Sequence, residues 1–373
     1  MNQTLSKYEN KKINYQLGNP NKFPQKRKYK YFIIIPSFAE KNFLQLTLES
    51  INEQNTDLLK NTLVVIVINN SANDTINIKK NNYDTFKIVS KLKFKYEFII
   101  IDCFSSNHQL SNEKSGVGMA RKIGHDFCIK YSHFSSLFLS LDADCLIHED
   151  YLEVISNKFK KNDIGFATIN FKHQKNDNVK IQEGIKKYEK LLKKIAFNIE
   201  STGSPYGYVS LGSAIVCTMK AYISVGGMPT KKATEDFYFL QRLAKFSKPF
   251  KIDNILVFPS SRCESRVYLG TGFRLSNFKK NFLSDLNINI EAYRVLKSFF
   301  ERLSISWNSS IEEIVLSCSK KNSKLRKYLN AINFENTIYK IQKNSKTEKQ
   351  FMNQFHIWFD SLKIYKFLKL YVD

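Results

Sequence analysis

The chain of 373 residues has no apolar run long enough to cross a bilayer, which excludes a membrane-spanning helix. Its opening residues, Met1-Asn2-Gln3-Thr4-Leu5-Ser6-Lys7, hold no apolar stretch of the kind a secretory signal needs, so export is not expected. The six cysteines are scattered, with no CxxC pair and no metal-ligand spacing. That excludes a zinc ribbon and points to reduced thiols in a cytoplasmic protein. No GxGxxG follows the first apolar run and no P-loop occurs, which weighs against a dinucleotide-binding domain and a P-loop NTPase. Acids are in short supply: 34 Asp and Glu stand against 58 Lys and Arg, a net charge of +24. Nucleic acid, an anionic membrane face and a phosphorylated substrate are the counterparts such an excess attracts. Most of it is lysine in a chain also rich in Asn and Ile, a composition that AT-biased codon use produces by itself. Arginine is scarce, and Arg262, Arg266 and Arg274 crowd into one short segment. That local cluster says more about function than the global charge does.

Hydrophobic residues make up 43% of the chain, enough for a sizeable core. Residues 1–29 are polar, lysine-rich and without periodicity, which predicts a flexible basic lead-in. Tyr31-Phe32-Ile33-Ile34-Ile35 is unbroken, rich in β-branched residues and halted by Pro36, the pattern of a strand buried on both faces. Residues 63–68, 96–101 and 137–141 read as further strands, and residues 43–54 and 116–131 have helical spacing. The alternation predicts an α/β fold with right-handed crossovers and a mainly parallel sheet flanked by helices. Beyond residue 276 glycine and proline vanish and helical patterns take over, with lysines interleaved among Phe, Tyr and Leu. The expected organisation is a basic segment (1–29), an α/β domain (30–275) and a helical C-terminal region (276–373).

In sheets of this kind, ligands bind beyond the carboxyl ends of the strands. Three predicted strands end in polar clusters there: Pro36-Ser37-Phe38-Ala39-Glu40, Asn69-Asn70-Ser71 and Asp142-Ala143-Asp144. The last is the most informative. Two carboxylates at positions i and i+2 of an extended chain point to one side. Such a pair suits a hard divalent cation, which prefers carboxylate and phosphate oxygens. An isolated Asp-x-Asp is more often ordinary turn chemistry, so its company matters. A second acidic pair follows in Ala233-Thr234-Glu235-Asp236-Phe237. Taken alone it reads as a helix start, with Thr234 as the cap and acids favourable to the helix dipole. A carboxylate at a helix start can equally face a cleft. Arg262 and Arg266 stand four apart, ahead of Gly270-Thr271-Gly272. That combination suits bidentate phosphate contacts from a mobile loop.

Taken in order over about residues 30–275, these segments resemble the family 2 glycosyltransferases of the GT-A fold. Residues Ile33-Ile34-Ile35-Pro36-Ser37-Phe38-Ala39-Glu40 are similar to the family's opening strand and its IPxYNE-type loop, with Phe38 where a Tyr often stacks on the base and Ala39 in place of Asn. Val67-Ile68-Asn69-Asn70-Ser71-Ala72-Asn73-Asp74 resembles the VVDDGSxD motif, with amides in place of both acids, so that Asn70 would bond the base without a charge. Ser115-Gly116-Val117-Gly118-Met119-Ala120-Arg121-Lys122 resembles the glycine-bearing helix start that lies against the nucleotide. The resemblance thus implies a nucleotide-sugar site of Pro36, Phe38, Glu40, Asn70, Gly116, Arg121, Asp142, Arg262 and Arg266. It implies Asp142 and Asp144 as ligands of a divalent metal, Mn²⁺ or Mg²⁺, and Asp236 as general base with Glu235 orienting it. Gly212-Ser213-Ala214 and Gly226-Gly227-Met228-Pro229 look like the acceptor-side strand and turn, and residues 259–272 look like a PSxRxSxRxxxGTG segment of one bacterial subset. The family histidine that completes the metal shell is not evident there. Phe355-His356-Ile357-Trp358-Phe359-Asp360 is similar to that subset's tail, and by composition it is a packing helix.

The activity implied is inverting, metal-dependent transfer of a sugar from a nucleotide-sugar donor to a hydroxyl of a carbohydrate or lipid-linked acceptor, in cell-surface polysaccharide or glycolipid synthesis. The implied location is the cytoplasm, with the lysine-rich C-terminal helices in peripheral contact with an anionic inner membrane face; no nucleic-acid partner is expected. Two other readings compete. A nucleotidyltransferase shares the sheet and the metal acids but needs a lysine- and glycine-rich loop directly after the first strand, where residues 36–40 offer none. A non-catalytic basic module binding nucleic acid or anionic lipid has no use for converging acids, which would repel its partner.

Overall fold

The computed structural model describes residues 2–12, 18–263, 283–319 and 322–372. Its contacts divide the chain into two compact units, Met1–Gln182 with Ser210–Ser276, and Glu183–Val209 with Asn277–Asp373. The first unit opens with α1 (Asn2–Lys12), β1 (Asn19–Pro20), β2 (Tyr29–Ser37), α2 (Leu44–Asn52), α3 (Thr56–Leu59), β3 (Thr62–Asn69), α4 (Ile76–Val89), β4 (Glu97–Cys103), α5 (Val117–Ile129) and β5 (Ser132–Ser140). It continues with β6 (Leu146–Ile147), α6 (Tyr151–Lys161) and β7 (Phe166–Phe171), and closes with β8 (Ile215–Thr218), α8 (Met219–Ser224), α9 (Glu235–Phe246) and β9 (Phe250–Phe258). Between β7 and β8, α7 (Val179–Ser201) begins in the first unit and belongs to the second from Glu183 onward.

The strands form one sheet in the order β1-β4-β3-β2-β5-β8-β7-β9-β6. Its centre, β4 to β5, is parallel throughout. Antiparallel β8 then joins β5 to β7, β9 returns parallel to β7, and β1 and β6 close the two edges antiparallel. The α/β class and the parallel central sheet expected from the alternation are thus present. Every residue of β3 is buried, as are Phe32 to Ile35 of β2, because helices cover both faces and leave no reason for polar alternation. On one face α5 lies so close that a Cβ on Gly124 would meet Ile34 Cγ2 at 2.5 Å.

Two details depart from the pattern reading. Pro36 does not halt the first strand, which runs on to Ser37 with Pro36 beside Val67 of β3. Ile34, two residues earlier, gives its carbonyl to Leu141 on the β5 side, and β5 itself ends at Ser140. Pro36 therefore turns its missing N–H to a side where no ladder remains. The lysine-rich lead-in also contains a docked element. Tyr8 of α1 is buried, and its hydroxyl donates to Asp126 Oδ1 at 2.7 Å, beside the Tyr222 hydroxyl and the Lys122 ammonium on the same carboxylate. One buried tyrosine leaves no periodic signal, so composition alone reads residues 1–29 as unstructured.

The second unit is helical as composition implies, with α10 (Ile290–Ile305), α11 (Ile311–Ser319), α12 (Ser323–Ala331), α13 (Phe334–Lys343), α14 (Glu348–Trp358) and α15 (Ser361–Leu368) joining the later part of α7. Its core is aromatic: Phe299 meets Phe334, Phe355 and Phe359 edge-on, each at 5.6 Å between centroids. His356 packs among these rings, and burial pushes its pKa down to about 4, so it stays neutral. Among the described residues, no helix is long and apolar enough to cross a membrane.

Candidate active site

Parallel pairing brings the carboxyl ends of β2, β3 and β5 to one rim, through the registers Ser37 to Ile68 and Ile34 to Ser140. The Asp142-Ala143-Asp144 turn follows β5 there. Its backbone is fixed from three sides. Leu141 N–H donates to Ile34 at 3.1 Å, the Thr47 hydroxyl of α2 donates to the Ala143 carbonyl at 2.9 Å, and the Gln174 amide donates to the Asp144 carbonyl at 2.9 Å. The same Gln174 amide also bonds the Phe258 carbonyl at the end of β9, at 2.8 Å. With the turn's carbonyls satisfied in this way, the carboxylates are left to make the site's contacts.

Each of those carboxylates meets an arginine. Arg121, on α5 and only 2% exposed, donates from Nη2 to Asp142 Oδ1 and from Nε to Glu235 Oε1 at 3.2 Å. Its Nη1 has no hydrogen-bond partner among the described residues. The guanidinium fits because position 212 is glycine, where any Cβ would run into Nη2. Burial opposes Arg121's charge, but Asp142, Glu235 and Asp236 outweigh it and hold the pKa above the ordinary arginine value. Arg262, beyond β9, bridges Glu40 Oε1 at 2.6 Å and Asp144 Oδ2 at 3.0 Å, with its guanidinium 4.2 Å above the Phe43 ring. Its segment is anchored by Asn176, whose amide donates to the Ser261 carbonyl at 3.0 Å.

The second acidic pair opens α9. Thr234 does not cap this helix as its residue type suggests. It sits at φ +64° and its hydroxyl turns back to the Ala233 carbonyl at 2.6 Å, while Asp236 accepts from the Phe237 N–H at 2.7 Å. A β-branched residue in the left-handed region is strained, and Ala39, next to Glu40, shares that conformation at φ +57°. Each of these two residues stands beside a rim carboxylate. Burial raises the pKa values of Glu235 and Asp236 and the positive charge of Arg121 draws both down, while Asp142 raises both and Asp236 raises Glu235 further. Glu235 is thereby pushed up to about 7, and Asp236 stands above the ordinary carboxylate range.

No protein-family model matches the chain, and no curated protein matches it. Solved structures that resemble it include S. aureus TarS 1–349 in complex with UDP-GlcNAc, at 14% identity and a TM-score of 0.48, covering 85% of this chain and 91% of that one. The same protein in complex with UDP gives 14% and 0.45, over 85% and 90%. The mannosyltransferase PcManGT from Pyrobaculum calidifontis, in complex with GDP-Man and Mn²⁺, gives 11% and 0.39, over 95% and 94%. At identities this low, function rests on the rim residues themselves.

Of the residues singled out in the sequence, Arg121, Asp142 and Glu235 form one ion-paired group and Arg262, Glu40 and Asp144 another, and Asp236 lies within the field of Arg121. Phe38 is half-buried on the same rim, directly after β2, and Pro36 lies buried within that strand. Asn70 is turned inward instead. Its amide donates to the Ser71 and Phe104 carbonyls at 3.1 and 3.2 Å, and its oxygen accepts from Asn82 at 2.9 Å. Gly116 closes against backbone too: a Cβ there would stand 2.5 Å from Lys232 Cα, just ahead of the Glu235-Asp236 pair. Arg266 and Gly270-Thr271-Gly272 lie outside the described residues. Pattern reading missed Thr47, Gln174, Asn176 and His125. The last is buried, pushed down to about 3 by that burial, and neutral. Its Nδ1–H donates to the Arg121 carbonyl at 2.7 Å, which fixes the helix turn that carries the arginine. Such polar supports sit singly in loops and helices, and no local spacing marks them.

Proposed function

We propose that the first unit is an inverting glycosyltransferase of the GT-A type, using a divalent cation to take a sugar from a nucleotide-sugar donor to an acceptor hydroxyl. One observation carries this reading: Arg121 pairs with Asp142 and Glu235 at once, so two acidic motifs far apart in the chain share one crevice. In that reading Asp236 is the general base, removing the proton of the acceptor hydroxyl as it attacks the anomeric carbon. Glu235, held by Arg121, orients it. A base on the face opposite the leaving group inverts the centre in one displacement. Phe38 offers a ring for the base of the donor, and Arg121 and Arg262 lie where diphosphate charge would arrive.

The donor set fits a divalent cation shared with substrate. Asp142 and Asp144 supply two hard oxygen donors, and no group of three His, Cys, Asp or Glu is arranged around a metal among the described residues. One or two carboxylates completed by water and substrate phosphates is the usual shell of Mg²⁺. When bound, such an ion supplies positive charge to the departing nucleoside diphosphate. A nucleotidyltransferase reading is disfavoured because the loop after β2 has no lysine- and glycine-rich run: Glu40 pairs with Arg262 and its neighbour Lys41 with Asp84 at 2.9 Å.

The test is a thermal-shift screen of nucleoside diphosphates and nucleotide sugars, with and without Mn²⁺. A diphosphate at about 100 times its Kd should stabilise the protein by about 2.7 kcal/mol, only with the cation, and not in Asp144→Ala. Equal stabilisation without cation, or in Asp144→Ala, contradicts the metal assignment.

A further inference from the structure

The Arg262 guanidinium is a monovalent cation seated where carboxylates of two loops converge. It reaches Glu40 from the loop after β2 and Asp144 from the turn after β5, with Phe43 against its flat face. All three charged groups are largely shielded, with 18% of the Arg262, 10% of the Glu40 and 19% of the Asp144 side chains exposed. In that setting an ion pair is strong and each carboxylate is costly to leave unpaired. The neighbouring acid, Asp142, has its own arginine in Arg121. The arginine at Asp144 differs from Arg121 in one respect. Arg121 is locked by burial, whereas Arg262 reaches in from a segment beyond the last strand and remains partly open to solvent.

We propose that Arg262 is a resident counter-cation that competes with a divalent ion for Asp144. Arg262 has to give up Asp144 before that carboxylate can take up a divalent ion fully, and the released guanidinium is then available to an anionic ligand. This rests on the reading of Asp142 and Asp144 as cation ligands and adds to it a built-in brake. Without substrate, affinity for the ion is held low by the protein's own side chain. A diphosphate draws the arginine away and raises that affinity, as reciprocal linkage between two ligands requires. The device also keeps the acids neutralised whenever the ion is absent.

The experiment is Mn²⁺ binding to the full chain, followed by the loss of the free-ion magnetic resonance signal, with no sugar substrate present. Arg262→Gln should bind Mn²⁺ at least about tenfold more tightly than the wild type, the size of effect given by removing one positive charge at ion-pair distance near a protein surface. Arg262→Lys, which keeps the charge but not the guanidinium's bridge and stack, should bind Mn²⁺ more weakly than Arg262→Gln. Adding Asp144→Asn to Arg262→Gln should abolish the gain. Unchanged or weaker binding in Arg262→Gln overturns the proposal. A second measurement needs no variant: Mn²⁺ titrated into the wild type should increase labelling of Arg262 by an arginine-specific dicarbonyl reagent, read by mass spectrometry. Labelling that does not change with the ion overturns it equally. Failure of sugar transfer with this pattern intact would sink the proposed reaction and leave the competition standing, while transfer without the pattern would do the reverse.

Discussion

The rim of the first unit and the core of the second are both shielded from water, yet opposite means hold them together. Around Phe299, Phe334, Phe355 and Phe359 the second unit buries rings against rings, gaining hydrophobic free energy at every contact. At the rim, the first unit instead buries Arg121 and Glu235, at 2% and 5% exposure, and holds Ala39 and Thr234 in left-handed backbone. Buried ions are tolerated only with partners, and strained backbone persists only where its surroundings over-determine it. At the rim, the buried Arg121–Glu235 pair and the left-handed Ala39 and Thr234 stand within a few residues of the same carboxylates, which marks a place where chemistry outranks stability.

The comparison breaks most sharply at Asp236. Asp236→Asn should lower turnover of sugar transfer by about 10²–10⁴-fold, while nucleoside diphosphate affinity stays within about twofold. Parallel loss of turnover and affinity, by steady-state kinetics and calorimetry, would mean that Asp236 serves binding and would remove it as the base. In the second unit the opposite split is expected. Phe355→Ala should cost about 3–5 kcal/mol of stability in a urea melt, with diphosphate affinity unchanged below the transition. A matching loss of affinity would erase the division between a stabilising core and a working rim.

Arg121→Gln sharpens the comparison with a smaller effect. Burial holds Asp236 and Glu235 above the ordinary carboxylate range, and the Arg121 charge offsets part of that rise. A base must be ionised, so the rate should fall as pH drops through the raised value. Removing Arg121 takes away the offset, and the acid limb should move to higher pH by about one pH unit. The stability sign agrees. Acids whose folded pKa is raised favour the folded state most at low pH, and that contribution is lost as pH climbs through the folded value. An acid limb that stays put, or moves to lower pH, in rate profiles of the variant would show that Arg121 does not act on the acidic pair.

Much of the fold was legible in the chain. The apolar runs at 63–68, 96–101 and 137–141 lie within or overlap β3, β4 and β5, and one topological rule then sends Glu40, Asp142 and Asp144 to a single rim. The acids could be found because carboxylates after buried strands are conspicuous. Asn70 could not be judged: its place in a motif says nothing of Asn82, twelve positions on, which takes up its amide oxygen. Nor could the docking of α1, which depends on one tyrosine meeting Asp126 far along the chain.

By itself the sequence determined the four central strands, their parallel pairing and which residue types stand at their ends, because periodicity and chain order are local properties. Tertiary structure alone decided the pairings: Arg121 with Asp142 and Glu235, and Arg262 with Glu40 and Asp144. The reason is physical. The strength of a charge pair depends on distance and on the water excluded around it, and both are fixed only when remote segments close on one another.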